Sequence, residues 1–245
     1  MHFRINKLVY LPLAGALGAG LLVSAFVAPQ PKLAASENCY SVCSSTATLS
    51  LSRSSVTYGK EALESFRVAV TGNDEGSGKP AGLVEVDAGA RFLCRFSLSN
   101  GAGHCSVGNK ALPPGTYTIR AFYSGNPNFR AAWSNTKRLP VLRDSSASSL
   151  ALSKYTVTRG QESQGEFRVS VKPGTAVVGN ATGVVDVYAG DKVLCHFNLS
   201  RGAGHCSLTN NQLGSGYYAI QAHYRGNSDL SPSMSNIRHL TVNRS

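Results

Sequence analysis

The block Leu93-Cys94-Arg95-Phe96-Ser97-Leu98-Ser99-Asn100-Gly101-Ala102-Gly103-His104-Cys105-Ser106 returns 101 residues later. Its second copy reads Leu194-Cys195-His196-Phe197-Asn198-Leu199-Ser200-Arg201-Gly202-Ala203-Gly204-His205-Cys206-Ser207. Around it, residues 48–142 align with 149–243 without a gap, and 41 of the 95 positions are identical. A period near a hundred residues is too long for a solenoid unit and has the size of a whole small domain. The chain therefore carries one domain twice.

Inside the block Cys94, Phe96 and Leu98 share one parity, while Arg95 and Ser97 take the other. The same alternation runs through Leu49 and Leu51, then Phe66, Val68 and Val70, then Val84 and Val86. It continues in Tyr117, Ile119, Ala121 and Tyr123, and in Leu139 and Val141. Period two places every second side chain of an extended strand against a core. Turn residues separate the runs, among them Asp87-Ala88-Gly89, Asn100-Gly101 and Pro113-Pro114-Gly115. Glycine and asparagine tolerate the backbone that tight turns need. About seven short strands at this spacing predict two packed antiparallel sheets in each repeat. The fold class is all-β, with two tandem immunoglobulin-like antiparallel β-sandwiches over residues 47–143 and 147–245. They are joined by the short polar stretch Arg143-Asp144-Ser145-Ser146-Ala147.

The run from Leu112 to Asn126 resembles the signature of the bacterial Ig-like repeat domains, and so does its copy from Leu213 to Asn227. Gly82-Leu83-Val84-Glu85-Val86 and the Ser99-Asn100-Gly101 hairpin fit the same pattern. The resemblance implies extracellular modules used as spacers, adhesins and accessory domains, and it is nearly silent on activity. It also implies that Tyr117 and Tyr218 form tyrosine corners, with the phenol bonded to nearby backbone.

Residues 1–35 read as a secretory signal. Arg4 and Lys7 precede an apolar run from Leu8 to Ala28, and small residues follow at Ala34, Ala35 and Ser36. A retained membrane anchor is the competing reading of that run. Export makes the expected location extracellular or the cell surface. Residues 36–46 form an N-terminal cysteine-containing segment.

Six cysteines in an exported chain read as a disulfide framework, and six allow 15 connectivities. Duplication reduces them: Cys94 with Cys105, and Cys195 with Cys206, one bridge per repeat. The intervening hairpin is expected to make each bridge a staple between adjacent strands, unlike the inter-sheet bond of antibody domains. Cys39 and Cys43 remain, either paired with each other or linking two chains. The expected state is a monomer, with a dimer through Cys39 or Cys43 as the alternative.

No catalytic constellation is visible, and the chain reads as no enzyme. A Gly-x-Ser-x-Gly elbow is missing, and Glu85 and Asp87 have only Asp186 and Tyr188 as counterparts. No cofactor or metal is expected. The acidic loop Asn73-Asp74-Glu75 is replaced by Gly174-Thr175-Ala176 in the second copy. His104 and Cys105 are adjacent and point to opposite faces of a strand, which argues against a zinc site with Cys94. His104 and His205 read as solvent-facing strand residues. His196, His223 and His239 replace Arg95, Phe122 and Arg138 and would make a patch if all faced outward.

Surface recognition is the remaining candidate. Lys and Arg number 24 against 13 Asp and Glu, so acidic partners are favoured. Nucleic acid is not expected, for no recognition motif is present. Arg120 and Phe122 should face outward on one strand, with Arg138 on the next. Trp133, the sole tryptophan, lies near Phe129 and Arg130. Arg120, Phe122, Arg130, Trp133 and Arg138 thus form the candidate binding surface. The competing reading is that Phe129 and Trp133 cover the end of the sandwich. The expectation is a secreted, non-catalytic binding or adhesion module for an acidic polymer, a cell-wall glycan or a surface protein. The alternative is a structural spacer or assembly subunit with no ligand of its own.

Overall fold

The computed structural model describes residues 42–74 and 76–245. The expectations for the signal segment and for Cys39 lie outside the described residues.

In the first repeat, β1 (Ser45–Leu51), β3 (Phe66–Gly72) and β6 (Ala102–Cys105) form a three-stranded sheet in the order β1-β3-β6. The opposing sheet contains β2 (Val56–Thr57), β4 (Gly82–Ala88), β5 (Arg91–Leu98), β7 (Gly115–Tyr123) and β9 (Lys137–Leu142). Its order is β2-β9-β7-β4-β5, and a short β8 (Ala132–Trp133) pairs with β7. The second repeat rebuilds this plan. There β10 (Ser146–Leu152), β12 (Glu166–Pro173) and β15 (Ala203–Ser207) make the small sheet. The large sheet runs β11 (Thr156–Thr158), β18 (Arg238–Asn243), β16 (Gly216–Tyr224), β13 (Gly183–Ala189) and β14 (Lys192–Leu199). A short β17 (Ser233–Met234) pairs with β16. Each repeat is thus an immunoglobulin-like sandwich.

One departure from an all-antiparallel sandwich concerns β2 and β11, which run parallel to β9 and β18. The chain leaves the small sheet after β1 and resumes on the edge of the large one, so one edge run serves both layers. The first strands begin at Ser45 and Ser146, slightly ahead of the starts drawn from sequence.

Alternation fills the cores as expected. Leu49, Phe66, Val84, Val86, Ile119, Ala121 and Tyr123 are fully buried in the first repeat. Leu150, Phe167, Val185, Val187, Ile220, Ala222 and Tyr224 repeat them in the second. A buried glutamate braces one end of each core. Glu61 Oε2 accepts from the backbone N–H of Gly59 (2.9 Å) and Lys110 (2.8 Å), and Glu162 Oε2 accepts from Gly160 (2.8 Å) and Asn211 (2.9 Å). Such charge-assisted bonds offset part of the cost of burying a carboxylate. The tyrosine corners are present: Tyr117 Oη donates to the Pro113 carbonyl (2.8 Å) and Tyr218 Oη to that of Gly214 (3.0 Å).

The bridges join the expected cysteines, Cys94 to Cys105 and Cys195 to Cys206, with Cα atoms 6.2 and 6.3 Å apart. Their architectural role differs from the staple within one sheet read from sequence. Asn100 (φ 54°) and Gly101 (φ 79°) make a tight turn, closed by paired hydrogen bonds between Ser99 and Ala102. Beyond that pair the strands part: β5 stays with β4, and β6 turns to β3. Each bridge therefore ties the edges of the two layers together. Cys43 is also disulfide-bonded.

Candidate functional site

The exposed face of the large sheet in the first repeat carries the residues singled out from sequence. On β7, Ile119, Ala121 and Tyr123 point inward, so Thr118, Arg120 and Phe122 point outward. The loop from Ser124 to Ala131 then sets the position of Trp133. Asn126 holds this loop: its Oδ1 accepts from the backbone N–H of Asn128 (2.8 Å) and Phe129 (2.9 Å), and its Nδ2 donates to the Ala81 carbonyl (2.7 Å). Gly125 sits at φ 78°, and a Cβ there would lie 2.7 Å from the Phe129 carbonyl oxygen, so glycine is required. Phe129 is buried at the end of the sandwich, which is the covering role weighed as the alternative for it.

Trp133 remains outside, 50% exposed and directly opposite Phe122 in the β7–β8 pairing. The two ring centroids are 4.6 Å apart, and the Arg120 guanidinium carbon lies 4.3 Å from the centre of the indole. An arginine on an indole face is held by cation–π attraction and gives the ring a fixed pose. Arg138 pairs with Thr118, so it extends the same face by one row. Arg130 is exposed on the loop before β8, and no described contact joins its side chain to the Trp133 cluster.

The sequence reading missed three further members of this face. Glu85 pairs with Phe122 on one side and Arg95 on the other, and Asp87 pairs with Arg120. Arg95 and Glu85 approach to 3.8 Å. Burial, with the neighbouring Glu85 charge as the second cause, pushes the Asp87 carboxyl above its ordinary range. The face is thus mixed in charge around an aromatic centre. The parity of β4 carried the signal, but only the register shows which strand these carboxylates adjoin.

The three histidines of the second repeat do not form one patch. His223 and His196 flank Asp186 in a single row across three strands. His239 stands apart, stacked on Tyr217 with ring centroids 4.8 Å apart. Asp186 is 2% exposed, and Arg225 grips both its oxygens at 2.6 and 2.8 Å. That hydrogen-bonded pair is the first cause holding the Asp186 carboxyl below its ordinary range. Burial opposes it, while the charges of Arg225, His196 and His223 reinforce it. Among the described residues, no group of three His, Cys, Asp or Glu side chains is placed to hold a metal ion. No described helix is long and apolar enough to cross a membrane.

The topology and the tyrosine corners define a tandem immunoglobulin-like protein, with an aromatic–charged surface on its first sandwich. Residues 49–141, within the first repeat, match the family model of the bacterial Ig-like domain (group 3). Among solved structures, the chain is similar to the fibronectin(III)-like modules of CbhA from Clostridium thermocellum. The identity is 12% over 81% of this chain and 95% of that one, with a TM-score of 0.33. It is also similar to invasin, a bacterial integrin-binding protein, at 14% identity, 78% and 39% coverage and a TM-score of 0.44. For the adhesin InvE of Yersinia pseudotuberculosis the values are 14%, 80% and 58%, and 0.41. The chain thus spans less than two thirds of the invasin and InvE structures. No curated protein matches it in sequence.

Proposed function

We propose that this chain is an exported, non-catalytic binding module that holds an acidic polymer, glycan or surface protein on the outer face of its first sandwich. The carrying observation is Trp133, half exposed and fixed between Phe122 and Arg120. A rigid aromatic costs little conformational entropy when it meets a ligand, and tryptophan and arginine dominate binding energetics. Arg120, Arg138 and Arg95 supply donors around the ring for anionic or hydroxyl groups. The bridged cysteines fit an oxidising, extracellular compartment.

Retention of the processed chain on immobilised cell-wall polysaccharide at low salt tests the reading. Trp133→Ala is expected to weaken retention at least tenfold. Because the indole lies outside the core, the melting temperature should stay unchanged. Equal retention of both proteins sinks the assignment of this face, and no retention of either favours the spacer alternative.

A further inference from the structure

The outer face of the small sheet carries an arginine–histidine pair in both repeats. Arg67 on β3 stands directly opposite His104 on β6, and Arg168 on β12 opposite His205 on β15. All four side chains face solvent. In the second repeat a carboxylate bridges the pair: one oxygen of Glu166 lies 2.5 Å from Arg168 Nε, the other 3.3 Å from His205 Nε2. The first repeat keeps the arginine and histidine but has Ser65 where Glu166 stands. The local backbone is the same, because the N–H groups of Ser65 and Glu166 donate to Ser52 and Ser153 Oγ at 2.8 Å each. No described acidic group pairs with Arg67 or His104.

We infer that Arg67 and His104 form an open receptor for a carboxylate, and that its ligand is a sugar acid. The second repeat displays the bound state with an internal carboxylate as occupant. Two donors aimed at two oxygens of one carboxylate give both strength and orientation. Beside the pair lies a shallow groove of ≈410 Å³, floored by the row Thr48, Ala69 and Ala102. These small side chains leave a flat floor on which a pyranose ring lies, and the hydroxyls of Thr48 and Ser50 stand at hand for its own. A peptide fits less well. Strand β3 is paired on both sides, so the floor offers no free backbone groups, and a strand added at the edge of β6 would lie in the plane of the sheet and away from Arg67. This site is separate from the Trp133 face and stands or falls without it.

Reciprocal exchange between the repeats tests the inference. The probe is a short oligogalacturonate, titrated into the processed chain at low salt and followed through the backbone and imidazole resonances of both sites. The native chain should show shifts at Arg67 and His104 and none at Arg168 and His205. Ser65→Glu copies the second repeat and should weaken the response at least tenfold. Glu166→Ser copies the first and should open a second responding site at Arg168 and His205. Trp133→Ala should leave both responses intact, which separates this result from the fate of the other face. Undiminished shifts in Ser65→Glu overturn the receptor, as does a silent second site in Glu166→Ser. Shifts as strong with a glutamate oligopeptide overturn the sugar-acid assignment.

Discussion

Across the large sheet of the first repeat, one row of outward residues reads Trp133, Phe122, Glu85 and Arg95. The matching row of the second reads Met234, His223, Asp186 and His196. Beneath these rows most core residues are identical, with Phe129 replaced by Leu230 and Val107 by Leu208 among the exceptions, so most of the divergence lies outside the core. Its direction is consistent. In the second repeat the charges satisfy one another: Arg225 closes on Asp186, and Glu166 on Arg168 and His205. In the first, the corresponding anions are weaker partners or missing, and Arg120 and Arg67 are left facing outward. The proposed reading of the first sandwich as the ligand-facing one rests on this difference in self-pairing.

The comparison assumes a common frame, and the largest effects test that assumption. Phe66 and Phe167 are equivalent core residues, 0% and 2% exposed. Replacing either with alanine should cost about 3–5 kcal/mol, from lost burial plus an unfilled cavity. Urea unfolding checks this. Trp133 fluorescence reports the first repeat, since the chain has no other tryptophan, and backbone hydrogen exchange follows the second. Paired costs that differ by more than about 1.5 kcal/mol would break the shared frame, given the spread at fixed chemistry.

The sequence carried the frame because period two survives in every long strand: the parity of Phe66, Val68 and Val70 needs no partner to be read. The two-residue strands β2 and β8 are too short to show any period. Alternation also states which face is inward without stating which sheet the strand joins. That is why the Cys94–Cys105 bridge was expected within one layer. The candidate site was legible to a similar depth. Arg120, Phe122 and Arg138 follow from parity, and Trp133 stood out as unique. Glu85 and Asp87 joined them only through cross-strand register, which depends on turn geometry as well as pattern. The Arg67–His104 pair was hidden for the same reason, its members being 37 positions apart in the chain.

Of intermediate size is the effect of the bridges. Each closes a short loop, with a sequence separation of 11, so replacing Cys94 and Cys105 with alanine should lower stability by about 2–3 kcal/mol. The same double substitution at Cys195 and Cys206 should match it. Because each bridge ties two layers, hydrogen exchange should quicken in β6 or β15 more than in the neighbouring β4 or β13. Faster exchange confined to the large sheet would instead favour a staple within one layer.

The smallest effect, and the most discriminating, is the response to acid. Burial is the largest influence on Glu162 and pushes its carboxyl up. The backbone N–H groups of Asn211, Glu162 and Gly160, with the charge of Arg159, outweigh it and hold the group below its ordinary value. Asp186 is held low as well, chiefly by Arg225. A carboxyl depressed by folding contributes stability above its unfolded pKa, and that contribution disappears as the pH falls through the folded value. The second repeat should therefore weaken as the pH drops through and below about 4. Asp87 behaves oppositely: its raised carboxyl destabilises the fold when ionised, so the first repeat recovers stability as acid protonates it, beginning above the ordinary range. Hydrogen exchange resolved by repeat, measured between pH 6 and pH 3, should show the second sandwich losing protection relative to the first. Substituting Asp186→Asn should shrink that gap at the acid end, whereas Asp87→Asn should remove the gain in the first repeat. Parallel loss in both sandwiches would show that their surface charges differ in position but not in energetic consequence.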